Sequence, residues 1–523
     1  MSTTHSPALT TLRQVGLTLF LVAFALFAAL PFVGDYQLTD EVLASLPERG
    51  VGNETFLNEL QALKGREYGS VHAFVGDVQR KIEEADEAGA NVGEWNVTPY
   101  TTTVVRAVER GPATGGETLW FWLTFGLGSL GAALYFLPRM ALETPGIKND
   151  GIWFSSMKAR GWLGIATGVF FTAFYIVLYF APYYITSWIR LADPVSHFLR
   201  NTPADRWFFY GLMYTFCVGV MAIRFAMAYR HSRYQLVRNA SVVFFQLGFA
   251  FLIPAILVAL NRPSYDFKLA WPLDYGFFAD YNVDALTSAG LYGWVVLFWG
   301  IALAFLVVPA LAAFWGKRWY CSWVCGCGAL AETLGDPYRQ LSDKSLKAWR
   351  WERWIVHGVL VAAVAMTALV TAEYWTSLDE SAILGGNSWK VREWYGFLIG
   401  AWFAGVVGVG FYPFMGSRVW CRFGCPLAAI LGLVQRFKSR FRITTNGGQC
   451  ISCGNCSTYC EMGIDVRWYA QRGQDVVRSS CVGCGICSQV CPRGVLRLEN
   501  GPMSSRVLEA RDIDIARGHI EVG

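Results

Sequence analysis

Two cysteine runs near the C-terminal end constrain this chain more than any other feature. The first reads Cys450-x2-Cys453-x2-Cys456-x3-Cys460, the second Cys481-x2-Cys484-x2-Cys487-x3-Cys491-Pro492. Eight of the fourteen cysteines lie in these forty-two residues. This is the bacterial spacing for two iron–sulfur clusters, in which the fourth cysteine of each run serves the other cluster. The spacing predicts one [4Fe-4S] cluster on Cys450, Cys453, Cys456 and Cys491, and a second on Cys481, Cys484, Cys487 and Cys460. Pro492 cannot continue a helix and turns the chain away after the ligand. Two zinc sites would use spaced Cys-x2-Cys pairs rather than runs of four, and disulfides need an oxidising compartment.

Over residues 444–500 the pattern resembles the dicluster ferredoxin domain, a small α+β fold. The rest of the chain is of a different class. Hydrophobic residues make up 54 % and charged residues 16 % of 523 residues, with twenty-two tryptophans, a membrane composition with interfacial belts. Eight segments are long enough to span a bilayer: about 15–33, 118–137, 161–181, 207–229, 240–260, 291–314, 355–372 and 393–414. The predicted fold is therefore an all-α polytopic membrane protein with a dicluster domain at its C-terminal end. Its parts are a first helix (1–34), an acidic extracytoplasmic segment (35–116), four further helices (117–290), a duplicated unit (291–443), the ferredoxin domain (444–500) and a tail (501–523).

Loop charges give an orientation. Segments 138–160, 230–238 and 315–354 carry four, three and seven Lys/Arg, against three, two and two in 183–206, 261–290 and 373–392. The positive-inside rule then places the N-terminus, residues 315–354 and everything after Phe414 in the cytoplasm, and 35–116 outside. Residues 35–116 hold fourteen acidic and seven basic residues, while 415–523 hold eight and fourteen. In 35–116, Leu57, Leu60 and Leu63 sit near helical spacing, and Val78 to Ala88 reads as a charged helix. The first apolar span lacks a small-x-small cleavage site and reads as an uncleaved helix. The thirteen motif cysteines fall on the reducing side. Cys217 stands alone in a span, as a small buried residue.

An internal repeat follows two of the spans. Phe314-Trp-Gly316-Lys-Arg318-Trp-Tyr-Cys321-Ser-Trp-Val-Cys325 and Phe414-Met-Gly416-Ser-Arg418-Val-Trp-Cys421-Arg-Phe-Gly-Cys425 share Phe-x-Gly-x-Arg-x-x-Cys-x3-Cys. On a helix, each pair would place both sulfurs on one face. Cys321, Cys325, Cys421 and Cys425 form a candidate additional redox or metal site, with redox thiol pairs and a structural role as alternatives. Cys327 adds a thiol to the first copy.

Spans, two Cys-x3-Cys motifs and a terminal dicluster domain resemble, over about 291–500, the membrane-bound polyferredoxin family, which includes the NapH, NosR and CcoG types. Family copies read Cys-x3-Cys-Pro. Cys421 to Pro426 follows this, and the first copy carries Gly326 in place of proline. The resemblance implies electron transfer between a cytoplasmic redox partner and a membrane acceptor, with quinone as the expected substrate, in a bacterial or archaeal inner membrane. Assembly of a respiratory enzyme and redox sensing are the alternative roles.

Arg436-Phe-Lys438-Ser-Arg440-Phe-Arg442 links the last span to the ferredoxin. Just inside a membrane, such a stretch favours anionic lipid headgroups over nucleic acid. His357, Glu373, Glu393 and Arg224 are candidate proton-exchanging groups near span ends, where charged side chains also snorkel cheaply. The six histidines make no helical pair across two spans, which disfavours a bis-histidine haem. No phosphate loop supports ATP or NAD binding.

Overall fold

The computed structural model describes residues 7–90, 92–142, 145–146, 161–376, 387–500, 513–514 and 519–520. The expected tail, 501–523, lies almost wholly outside them. Among the described residues, seven helices are long and apolar enough to cross a membrane: Pro7–Phe32, Glu117–Leu142, Trp162–Phe180, Arg206–Ala228, Arg233–Ala259, Leu291–Trp315 and Leu346–Thr376. The eighth expected span is also helical, from Ser388–Tyr395 through Gly396–Val407 to Gly408–Gly410. It is the least apolar of the set, with Lys390, Arg392 and Glu393 in its first turns and five glycines after them. The protein is a multi-pass membrane protein of helical class with a small C-terminal ferredoxin fold.

The chain divides into two compact units, one of residues 1–144 and 173–216, the other of 145–172 and 217–523. In the first, Gly16 and Gly131 let the helices Pro7–Ala29 and Leu127–Leu142 touch backbone to backbone. A Cβ on Gly131 would lie 2.5 Å from the Phe20 nitrogen. Residues 35–116 enclose an apolar core containing Phe56, Leu60, Phe74, Val75 and Val78. The helix Val71–Glu87 begins seven residues before the expected one, and buries Val71, Phe74, Val75, Val78, Ile82 and Ala85 along one face. Asn53 accepts from the Phe56 nitrogen at 3.0 Å and starts the helix Glu54–Leu60. Strands Glu67–Tyr68, Asp35–Gln37 and Glu109–Arg110 pair antiparallel in that order.

In the second unit the duplicated segments end their spans alike. Gly316 (φ 72°) and Gly416 (φ 90°) stop a helix in the left-handed region, where a side chain is strained. A Cβ on Gly316 would also meet Phe441 at 2.8 Å. The helix expected over 355–372 starts at Leu346, because Trp349, Trp351 and Trp354 interleave with Lys347, Arg350 and Arg353 in interfacial style. Residues 261–279 fold back among the helices. Trp271 stacks on Phe305 and donates to Thr367 Oγ1 at 3.0 Å, both residues lying within spans. Ala270 enters the core that holds Cys321. Non-helical backbone is tolerated at membrane depth only when buried in protein.

The ferredoxin fold begins at Phe441. Strand Phe441–Thr445 pairs antiparallel with Leu496–Asn500, Phe441 opposite Asn500 and Thr445 opposite Leu496. Phe441 is buried under the Arg318 guanidinium, 4.6 Å from its ring centroid. Of the basic–aromatic stretch, Phe437 is the exposed aromatic and Phe441 belongs to the core.

Candidate metal centres and their fastening

The two cysteine runs superpose in backbone logic at an offset of thirty-one residues. Ser452 and Gly483, Gly454 and Gly485, and Gly463 and Gly494 all take left-handed φ, at 59° and 61°, 83° and 79°, 66° and 63°. The short helices Asn455–Thr458 and Ile486–Gln489 follow at the same offset. Each loop thereby curls three thiols around one space. Ser452 tolerates its side chain because it is exposed, with its Oγ accepting from Gln471. Gly483 does not have that room, since a Cβ there would lie 2.6 Å from Arg318 Cβ.

Two cavities result. One is lined by Cys450, Cys453, Cys456 and Cys491. The other is lined by Cys460, Cys481, Cys484 and Cys487. The fourth cysteine of each run therefore faces the cavity of the other. Among the described residues no three His, Cys, Asp or Glu side chains close around a single metal ion. Four thiols line each space, the donor set of a multi-iron core in which each iron takes one protein sulfur. The Ile464 N–H donates to Cys460 Sγ at 3.4 Å, and the backbone at Gly483 and Ile486 donates to Cys481 and Cys484. Burial pushes the thiols of Cys481 and Cys484 up to about 12 and that of Cys456 up to about 11. Iron entering either cavity displaces protons. Donor set, cavity and amide orientation all fit a [4Fe-4S] cubane.

The cavities differ in exposure. Cys453 opens to solvent, while Cys481 and Cys487 are buried. The inner loop is fastened by its carbonyls. Lys317 Nζ donates to Ser479 O at 3.2 Å, Gln435 Nε2 to Cys481 O at 2.8 Å, and Ser322 Oγ to Val482 O at 2.9 Å. Tyr234 donates to Gly483 O at 2.8 Å and Gln235 to Cys484 O at 2.9 Å. Tyr234 and Gln235 open a span, Lys317 and Ser322 lie in the repeat, and Gln435 lies in the helix that follows its second copy, so these bonds join the inner site to the membrane part.

The repeat cysteines are not on one helix per pair. Cys321 ends the short helix Arg318–Cys321, and Cys325 is extended (φ −67°, ψ 136°) ahead of Gly326–Glu332. Cys425 is likewise extended (φ −80°, ψ 112°) ahead of Pro426–Phe437. Pro426 forbids the helical conformation at Cys425, and the first copy reaches the same backbone with Gly326. Both second cysteines thus cap a helix; the Ala428 N–H donates to Cys425 Sγ at 3.4 Å. Cys321, Cys325, Cys421 and Cys425 share one buried core with Cys456, Cys481 and Cys487, and Cys327 packs against it. A hydrogen bond from the Cys327 thiol outweighs burial and lowers Cys325 to about 6, whereas burial raises Cys321 to about 12.

Between the inner cavity and the repeat lies a buried ion-pair network that the cysteine spacing gave no hint of. Arg418 donates to Cys321 O at 3.0 Å, sits 3.7 Å from Cys421 Sγ, and pairs with Glu332 and with Glu461 at 3.2 Å. Arg339 pairs with Glu461 at 2.6 Å and Asp336 at 2.7 Å; Arg238 pairs with Glu332. Burial would raise the Glu461 carboxyl, yet Arg339 and Arg418 hold it below its ordinary value. Arg224, a candidate proton-exchanging group, is committed to this network through Asp336 at 3.1 Å. His357 is bonded to its own helix at Arg353 O, and Glu373 accepts from the Ser388 nitrogen at 2.8 Å. The signal in the sequence was position: Glu461 directly follows Cys460, and Arg418 precedes Cys421 by three.

Residues 296–345 and 396–444 each match the family model of a 4Fe-4S binding domain, and 421–496 match that of a 4Fe-4S dicluster domain. The C-terminal region thus carries 4Fe-4S ferredoxin domains. Similar proteins carry matching names. YccM of Escherichia coli (strain K12), named "Putative electron transport protein", is 28 % identical over 172 residues, 32 % of this chain and 46 % of that one. The methylamine utilization ferredoxin-type protein MauN of Paracoccus denitrificans (strain Pd 1222) is 30 % identical over 174 residues, 31 % of this chain and 56 % of that one. Protein NirI of the same organism is 26 % identical over 169 residues, 31 % of this chain and 24 % of that one. The chain thus spans about half or less of these relatives. No solved structure matches.

Proposed function

We propose that this chain is an inner-membrane iron–sulfur electron-transfer protein of a bacterium or archaeon, passing electrons between a cytoplasmic partner and the quinone pool. Cys450, Cys453, Cys456 and Cys491 hold one [4Fe-4S] cluster, and Cys460, Cys481, Cys484 and Cys487 the other. The observation that carries this reading is the fastening of the inner four-thiol cavity to a membrane repeat whose own cysteines share its core. A cluster bound in each cavity supplies one-electron chemistry. The protein's residues hold the sulfurs, exclude water and set the local charge. Cys321, Cys325, Cys421 and Cys425 are proposed to hold a further iron–sulfur centre on the way to the membrane acceptor. The 4Fe-4S description of the family model matched by both repeat copies supports iron there over a simple thiol pair.

Protein purified without oxygen and placed in lipid should contain about eight irons from the two ferredoxin clusters alone. Given a low-potential reductant it should reduce a quinone analogue. Iron-free protein, or iron-loaded protein that leaves the quinone oxidised, overturns the reading. Normal quinone reduction in cells beside an unmetallated respiratory enzyme would point to assembly instead.

A further inference from the structure

The two ferredoxin cavities are not equally able to meet a soluble partner. The inner loop's carbonyls are taken up by Lys317, Gln435, Ser322, Tyr234 and Gln235. The outer cavity opens at Cys453, which is exposed, beside Ile451, 57 % exposed. Its rim carries one sign of charge. Arg467 and Arg493 line the mouth and are exposed. Arg472 is exposed too and stacks at 4.1 Å over Trp468, itself 42 % exposed.

Among the described residues the carboxylates of this region are half-buried or buried. Among the described residues of 444–500, no acidic side chain is exposed and no lysine occurs. Glu461 is buried in the ion-pair network. Asp465 is half-buried and bonded to Ser457 at 2.6 Å, and Asp475 faces Arg442. Arg478, which stacks on Trp349 at 4.4 Å, is turned toward the membrane part. Ile451, Arg467 and Arg493 therefore surround the exposed Cys453 thiol, and the helix that carries Arg467 and Trp468 is tied to the same loop by Gln471, which donates to Ser452 at 2.8 Å.

We infer that this face docks a soluble one-electron carrier protein whose own redox centre is surrounded by carboxylates. The inference rests on the electron-transfer reading above and adds the partner's chemistry and its landing site. Opposite charges steer encounter and orient the two centres, and that contribution is screened by salt.

The test is stopped-flow reduction of the full-length, iron-loaded protein in lipid nanodiscs. A photoreduced acidic flavodoxin serves as the protein donor and reduced methyl viologen as the small donor. The rate from flavodoxin should fall at least tenfold between low and physiological salt. It should fall about tenfold at low salt in the double variant Arg467→Glu/Arg472→Glu, and in wild type when the flavodoxin carboxylates are amidated. The viologen rate should hold in the variant. A flavodoxin rate indifferent to salt, to amidation and to the double variant overturns the docking inference. So does a rate that becomes fast and salt-dependent only after residues 501–523 are removed, because this chain's own tail then occupies the face. A viologen that cannot reduce the wild-type protein fails the electron-transfer reading itself, which keeps the two failures apart.

Discussion

Replacing Arg418 with glutamine is expected to lower stability by about 3 kcal/mol and to make the inner cluster harder to reduce. Arg418 is fully buried and serves Cys321 O, Glu332 and Glu461 at once. Removing one member of a buried ion pair typically costs about 3–5 kcal/mol, because the partner's charge is left uncompensated. Here the lower figure applies, since Arg339 and Arg238 still face the two glutamates. Lysine at 418 keeps the charge but not the planar fork, so Arg418→Lys should fall between. The electrical part separates this account from a merely structural one. Losing a cation beside an anionic cluster favours its oxidised form, so Arg418→Gln should lower the inner potential. Glu461→Gln removes an anion next to Cys460 and should raise it. A tenfold change in the one-electron equilibrium corresponds to about 59 mV. Thermal unfolding in lipid and potentiometric EPR titration measure the two effects. Shifts of the same sign in both variants would contradict the electrostatic role.

Cys460→Ala is expected to abolish the same EPR signal as Cys484→Ala and to leave the one lost in Cys453→Ala. In each single variant the ferredoxin iron should drop from about eight to about four per chain. The expectation runs against sequence order. Cys460 closes the first run, with Cys450, Cys453 and Cys456, yet it lines the cavity of Cys481, Cys484 and Cys487. If Cys460→Ala instead matches Cys453→Ala, the cysteines are not crossed between the two sites.

The cysteine runs were legible because ligand spacing is local: a loop of fixed length can wrap only so much cluster. The spans were legible for a similar reason, although their ends were not. Leu346–Thr376 starts early because interleaved tryptophans and arginines suit a membrane surface as well as a loop. What the sequence hid was pairing across distance. Arg238, Glu332, Arg339, Arg418 and Glu461 are scattered over more than two hundred positions, and each alone reads as a solvated charge. Their burial follows only from the packing of the inner cysteine loop onto the repeat. The fold-back of 261–279 was hidden too, since its prolines and aromatics read equally well as an external loop. The extended Cys325 and Cys425 reverse the simple expectation of a helical Cys-x3-Cys. Pro426 announced the break in the second copy, but nothing local announced it in the first. The strands of the 35–116 region, two or three residues long, are too short to carry an alternating pattern.

On this reading the repeat cysteines connect the ferredoxin to a membrane acceptor. Quinone reduction by the Cys321→Ser and Cys421→Ser proteins in lipid, read beside their EPR spectra, tests it most directly. Both ferredoxin signals should persist while quinone reduction is lost. Quinone reduction at the wild-type rate in both variants would contradict the account.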